Sequence, residues 1–293
     1  MTPLHAIITG GSSGIGLALA RKLAASGHNL SLIARRESLL NEAASEIARH
    51  FVRSDQRVVI RAADVADAKA AEAAVAAAIA ELGAPDLVVT SAGIAIPGYF
   101  EEVPTAVYER TMAVNYFGTL YVLRAALPSM RARRQGRIVM ISSGAALTGI
   151  FGYAAYGPSK FAVRGLAETL VAELKPDNVG VSIAYPPDTR TPQLEEEEKT
   201  KPEETKLITS VAATWSADAV ADAVLKGIER GAFVITPGAT LTLMRLMPGL
   251  VIPALRWYCD RLAAGVRRKR LRDGTKPLRA VFSAVDRYSR HAG

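Results

Sequence analysis

Tyr156 and Lys160 stand four residues apart, in Tyr156-Gly157-Pro158-Ser159-Lys160. On a helix that spacing puts both side chains on one face. A free phenol ionises at about 10, too high for easy proton exchange at neutral pH. An ammonium one turn away favours the phenolate, which predicts a tyrosine with a lowered pKa, usable as a general acid–base. Ser143 lies thirteen residues before Tyr156, just after an apolar run. Its hydroxyl can hydrogen-bond a carbonyl and the oxyanion that develops from it. The three residues together predict proton transfer at a carbonyl or alcohol oxygen. The neighbouring Ser142 and Tyr153 read as structural.

Such a group needs a scaffold, and the chain reads as alternating strand and helix. Residues 5–9, 29–34, 57–62, 86–91, 137–142 and 179–185 are short apolar runs of strand length. Ile15, Leu19 and Leu23 recur on one helical face, with Gly27 in the cap position. Residues 37–50, 66–82, 105–134 and 153–175 read as further helices. A helix over 216–230, capped by Ser216, leads to a seventh strand at 233–236. This alternation predicts an α/β fold of Rossmann type, a doubly wound parallel seven-stranded sheet with helices on both faces, followed by a C-terminal apolar helical extension. Residues 186–210, rich in Pro, Glu, Lys and Thr, read as a mobile excursion. Within it the Glu-rich stretch 195–198 could attract an amine, but reads more simply as a solvated acidic loop.

The first strand runs into Thr9-Gly10-Gly11-Ser12-Ser13-Gly14-Ile15-Gly16, which opens the first helix. A glycine turn between strand and helix lets the backbone approach a pyrophosphate, and the helix start offers unpaired N–H groups. Past the second strand come Arg35 and Arg36, with no carboxylate at the strand end. A guanidinium there suits a ribose 2′-phosphate, which predicts NADP(H), with Arg35 the better candidate and Arg36 equally readable as solvated.

The T-G-x-x-x-G-x-G spacing, with Tyr-x-x-x-Lys and Ser at minus thirteen, resembles the short-chain dehydrogenase/reductase family, from position 3 to about 236. The resemblance implies cofactor contacts from Gly10, Ser12, Ser13, Gly14, Ile15 and Gly16. It adds Asp64 and Val65 at the adenine, then Ala92 and Gly93, with Thr90 and Ser91 where the family has two asparagines. It also adds Pro186, Thr189 and the Tyr156/Lys160 pair at the nicotinamide end. It implies that Ser143 orients the substrate and Tyr156 protonates it. Lys160 would tune the phenol and grip the ribose, and Asn115 would help hold a proton-relaying water. The family has Pro-Gly where this chain has Pro186-Pro187. Residues 1–238 would form the NADP(H)-binding domain, with a substrate loop at 186–214, and 239–293 an apolar segment and basic tail.

The stretch from Ala184 to Ile208, with Lys160 to Glu168, resembles the sphingolipid-pathway branch of that family. This implies NADPH-dependent reduction of 3-oxosphinganine to sphinganine. Another lipid-like ketone, a 3-oxoacyl group or a steroid, is the alternative, and a non-catalytic NADP(H) sensor a remote one. The long helices 105–134 and 153–175 form dimer and tetramer interfaces in such proteins, which implies a homo-oligomer.

Composition narrows the remaining classes. The 293 residues are 49% hydrophobic and 22% charged, as in a globular chain. The single cysteine, Cys259, excludes an internal disulfide and points to a reducing compartment. The four histidines show no ligand spacing, against a His/Cys metal site and a Ser-His-Asp hydrolase. The net charge of +8 is uneven: residues 239–293 carry twelve Lys/Arg and three Asp, so the body before them is near neutral. The run Arg267, Arg268, Lys269, Arg270 and Arg272 fits an anionic membrane surface or a solvated tail. It fits nucleic acid poorly, since no aromatic-plus-basic motif accompanies it. Residues 241–255 are apolar but broken by Arg245 and two prolines, so they read as lying on something, with membrane contact expected through 241–272. No secretory signal is visible, and a cytoplasmic location, peripheral on a membrane, is the expectation.

Overall fold

Burial on both sides decides the central strands. β1 (His5–Thr9) and β4 (Leu87–Thr90) are buried at every position, as expected of strands sandwiched between helices. The computed structural model describes residues 4–210 and 213–273, apart from the side chains of 270, 271 and 273. Positions 211 and 212 of the expected substrate loop, the Arg270 side chain of the basic run and the tail beyond 273 lie outside the described residues.

The other strands are β2 (Asn29–Ala34), β3 (Val58–Ala62), β5 (Gly136–Ile141), β6 (Val179–Ala184), β7 (Thr189–Arg190), β8 (Trp215–Ser216) and β9 (Val234–Ile235). Seven form one parallel sheet in the order β3-β2-β1-β4-β5-β6-β9, and β7 pairs β8 in a separate parallel ribbon. The order reverses between β1 and β4, and such a switch point opens a ligand crevice at the carboxyl ends of the strands.

The helices are α1 (Gly14–Ala25), α2 (Glu37–Ala48), α3 (Ala68–Leu82), α4 (Thr105–Met112), α5 (Gly118–Arg133), α6 (Tyr156–Glu173), α7 (Pro192–Glu198), α8 (Glu203–Thr209), α9 (Ala217–Glu229), α10 (Ala239–Leu246) and α11 (Pro248–Asp273). Alternation along β1 divides the core. Ala6 and Ile8 pack with α1, α2 and α9, while Ile7 faces a second cluster built from α3, α5 and α6. The four predicted strands nearest the crevice are therefore found within a residue or two of their expected bounds.

Two expectations are corrected. The single helix expected over 105–134 is two helices joined by a π turn at Ala113–Phe117. The π turn rotates Asn115 inward, where its side chain exchanges hydrogen bonds with both backbone groups of Ile94, at 2.8 and 3.0 Å. The 186–210 stretch is not a loose excursion but carries α7 and α8. Thr191 caps α7 by accepting from the Leu194 N–H, and Pro192 takes the first helical position. The expected C-terminal helical extension is present: residues 241–255 are helical on both sides of a break at Met247, and Leu241 and Met244 enter the main core beside Tyr185. Among the described residues no helix is long and apolar enough to cross a membrane.

Candidate active site

The glycine turn is held by contacts that leave no room for side chains. A Cβ on Gly16 would lie 2.3 Å from the Gly10 carbonyl oxygen, and one on Gly10 would lie 2.8 Å from the Ala92 nitrogen. Gly10 and Gly14 also have φ of +68° and +54°, which glycine adopts without strain. Ser13 starts α1 without capping it by its side chain, and the first turn holds no acidic residue. The helix start thus keeps free N–H groups and an unbalanced positive end, a fit for a pyrophosphate. Thr9 ties the turn to β4: its hydroxyl accepts from the backbone N–H of Ser91 and Ala92, both at 3.2 Å. With Thr90 and Ser91 in place of two asparagines, the strap between β1 and β4 comes from Thr9.

Arg35 and Arg36 follow β2 and are exposed. Asp64, past β3, accepts from the Ala66 N–H at 3.0 Å and pairs with Arg110 of α4. Val65 is buried and abuts Gly118, where an added Cβ would lie 2.7 Å from a Val65 methyl. Gly93 sits over the candidate catalytic group, its Cβ position 3.2 Å from Asn115 Oδ1 and 3.4 Å from Lys160 Nζ.

Tyr156 is the first residue of α6, so Pro158 falls in the first turn, where its missing N–H costs nothing. Lys160 Nζ lies 5.6 Å from the Tyr156 ring centre and donates to the Ile141 carbonyl at 3.0 Å. Ser142 Oγ donates to the Lys160 carbonyl at 3.0 Å, fixing that turn of α6. Ser143 accepts from the Ala145 N–H at 3.1 Å and hydrogen-bonds Tyr156. Asn115 Nδ2 donates to Ser159 Oγ at 2.9 Å, and that hydroxyl donates to the Tyr156 carbonyl at 2.7 Å. Asn115 thus braces the start of α6 through Ser159, a link the bare spacing did not show. The structure brings Ser143, Tyr156, Lys160 and Asn115 together beside Gly93.

The electrostatics differ from the expectation at Tyr156. Burial pushes its phenol up, the Glu197 carboxylate adds to the rise, and the Ser143 hydrogen bond only partly opposes them. Burial also pushes Lys160 down to about 8, with Glu197 pulling the other way. Lys160 at this distance does not by itself bring the phenol toward neutrality, because desolvation of both groups outweighs their attraction.

Over this group lies the lid formed by α7 and α8. Glu197, expected on a solvated loop, is buried, 8% exposed. Its carboxylate accepts from the Tyr153 hydroxyl at 2.7 Å and from Gln193 at 2.9 Å. Lys201 is buried and pairs with Glu198 at 2.6 Å, with Asp188 at 3.8 Å. Tyr99 donates to buried Glu204 at 2.8 Å, and Thr205 to the Phe151 carbonyl at 2.9 Å. The lid leaves β6 through Pro186, whose carbonyl accepts from the Gly144 N–H at 3.0 Å, and through buried Thr189, which donates to the Pro187 carbonyl at 2.8 Å. Leu241 of α10 packs at the same place: a Cβ on Gly144 would lie 2.9 Å from a Leu241 methyl. Among the described residues no His/Cys/Asp/Glu cluster could hold a metal ion.

Comparison with known proteins agrees with this geometry. The family model for short chain dehydrogenases matches residues 4–202. A 3-dehydrosphinganine reductase of Danio rerio is 43% identical over 235 residues, covering 80% of this chain and 71% of that protein. A 3-ketodihydrosphingosine reductase of Mus musculus is 44% identical over 230 residues, covering 78% of this chain and 69% of that one. Among solved structures, L-sorbose reductase from Gluconobacter frateurii, complexed with NADPH and L-sorbose, matches with a TM-score of 0.72 at 27% identity. That match covers 81% of this chain and 97% of the other.

Proposed function

The chain belongs to the short chain dehydrogenase family, and from that premise we propose that it reduces the ketone of 3-oxosphinganine to sphinganine with NADPH. The observation that carries the reading is the Ser143–Tyr156–Lys160 group, set beside the glycine turn in a chain that is 43–44% identical to reductases named for this substrate. The crowded glycines and the uncapped start of α1 suit the pyrophosphate. Arg35 suits a 2′-phosphate, Asp64 and Val65 the adenine, and Ala92, Gly93, Pro186 and Thr189 the nicotinamide half.

When bound, NADPH supplies the hydride equivalent to the carbonyl carbon. Ser143 holds the carbonyl oxygen and stabilises the charge that grows there. Tyr156, protonated because its pKa is raised, donates its proton to that oxygen. Lys160 carries positive charge beneath the phenol and favours the phenolate left behind. Asn115 keeps α6 in register through Ser159.

Residues 1–238 would then be the catalytic body. We place 239–293 at a membrane surface on its cytoplasmic side. Leu243, Leu246, Met247, Leu250, Trp257 and Tyr258 are exposed along α10 and α11, among Arg245, Arg256 and Arg261. Apolar and basic groups on one segment suit anionic headgroups, where a long-chain substrate also resides. Co-sedimentation with anionic but not zwitterionic vesicles is the expected result, and no binding to either removes this part. Exposed Phe117 and Phe161, on or beside the helices named above, support a homo-oligomer, dimer or tetramer.

Steady-state NADPH oxidation with product identification tests the activity. The kcat/KM for 3-oxosphinganine should exceed that for a 3-oxoacyl thioester and a steroid ketone at least tenfold, about 1.4 kcal/mol of discrimination. Equal or better turnover of either competitor rejects the assignment.

A further inference from the structure

We infer that Glu197 recognises the ammonium group of the substrate and sets the preference for a 2-amino ketone over other lipid ketones. The inference rests on the substrate reading above, and adds a specificity-determining residue to it.

Position comes first. Tyr153 lies beside Tyr156 with ring centres 5.6 Å apart, and its hydroxyl reaches Glu197 at 2.7 Å. The carboxylate is thus held one aromatic side chain away from the phenol that meets the ketone. In a 2-amino ketone the ammonium sits on the carbon next to the carbonyl. A group that holds it must lie on the phenol's side of the pocket, which is where Glu197 stands.

Capacity comes second. Each Glu197 oxygen accepts one hydrogen bond, from Tyr153 and from Gln193. A carboxylate has about four acceptor positions, so it can still take an ammonium. Its two partners are neutral and fix its direction without cancelling its charge.

Charge balance comes third. Asp188, Glu197 and Glu198 share the lid with one buried cation, Lys201, whose ammonium bonds Glu198 at 2.6 Å and lies 3.8 Å from Asp188. Among the described residues no ion pair is formed by Glu197 itself. A buried carboxylate without its own cation is costly, and it raises the phenol's pKa, the wrong direction for stabilising a phenolate. An incoming ammonium corrects both. A 3-oxoacyl thioester or a steroid ketone brings no cation and leaves the carboxylate desolvated and unpaired, so Glu197 also acts against them.

The test compares 3-oxosphinganine with its chain-matched analogue lacking the amine, 1-hydroxyoctadecan-3-one, in the wild-type protein and in Glu197→Gln. Gln keeps the shape and can still accept from Tyr153. Loss of a charge-assisted contact should lower kcat/KM for the amine-bearing ketone about tenfold to a hundredfold, mainly through KM. The analogue should be unchanged or improved, so that the wild-type preference for the amine falls at least tenfold. Tyr153→Phe, which frees the carboxylate to swing, should shift the preference the same way by a smaller factor. NADPH affinity, read by fluorescence, reports folding in each variant. If both ketones fall by the same factor, or neither falls, Glu197 is structural and the inference is overturned while the activity stands. If the wild-type protein turns over neither ketone, the substrate reading fails first and takes the inference with it.

Discussion

At the end of β1 the tight contacts run between backbones: Gly16 against Gly10, Gly10 against Ala92, and Thr9 strapping Ser91 and Ala92. Across the crevice, in 186–209, they run between charged and hydroxyl side chains: Tyr153 on Glu197, Lys201 on Glu198, Tyr99 on Glu204. The two regions solve different problems. A dinucleotide presents phosphates of fixed charge and spacing, which backbone N–H groups at a helix start can meet without side chains. A ketone substrate is defined by its substituents, and side chains are needed to sort those. Tyr156 sits at the seam, at the start of the helix that both regions press upon.

Tyr156→Phe tests the seam and should have the largest effect. It removes the proton donor and leaves the ring, so kcat should fall about a hundredfold to ten-thousandfold. NADPH affinity should change little, since the glycine turn is untouched. Wild-type turnover in a folded, NADPH-binding variant would remove the phenol from the mechanism.

The difference between the regions also explains what could be read from sequence. The glycine turn was legible because backbone crowding admits glycine alone, which leaves a spacing in the sequence. β1 and β2 were legible to the residue because strands buried on both faces are near-continuous apolar runs, interrupted within β2 only by Ser31. The lid was not, because charged residues read as solvent-facing unless their partners are known, and Glu197's partner Tyr153 is 44 positions away. One local signal was there: Thr191-Pro192 is a cap followed by a first-turn proline, and it marks α7. The π turn left no such mark. Its cause, the Asn115–Ile94 pairing, is tertiary.

Lys201→Met should separate the regions next. It leaves Asp188 and Glu198 without their shared cation, under a lid that Lys201 helps close. With Glu198 partly exposed, the loss is below the full cost of breaking a buried pair, about 1–3 kcal/mol. Faster tryptic cleavage within 186–214 and a raised KM for the ketone are expected, with NADPH affinity within about twofold. A matching loss of NADPH affinity would mean that lid and cradle are one unit.

Arg35→Ala probes the other side with a smaller effect. Removing one charge-assisted contact to a 2′-phosphate should raise the NADPH Kd about tenfold to a hundredfold. The NADH Kd should stay where it is, so the ratio is the readout. An unchanged ratio would move the discrimination to Arg36 or elsewhere.

The smallest effect is one of pH, and it joins the two regions. Lys160 is pushed down to about 8 by burial, with the lid's Glu197 holding it up. The amine is charged below that value, so ketone reduction should hold to about pH 8 and then decline, at most tenfold per unit. In Glu197→Gln the decline should begin at lower pH, because the carboxylate no longer supports the ammonium. Stability should move oppositely. Between about 8 and the ordinary lysine value of 10.5, the unfolded chain keeps a proton on Lys160 that the folded chain has lost. Unfolding then takes up a proton, so this residue's contribution to stability rises with pH in that window. Tyr156 opposes it only above about 10, where an unfolded tyrosine ionises and the folded one does not. The difference between wild-type and Lys160→Met unfolding free energies should therefore change with pH between about 8 and 10, in the wild type's favour. A flat difference, with activity still declining above pH 8, would assign the decline to a group other than this lysine.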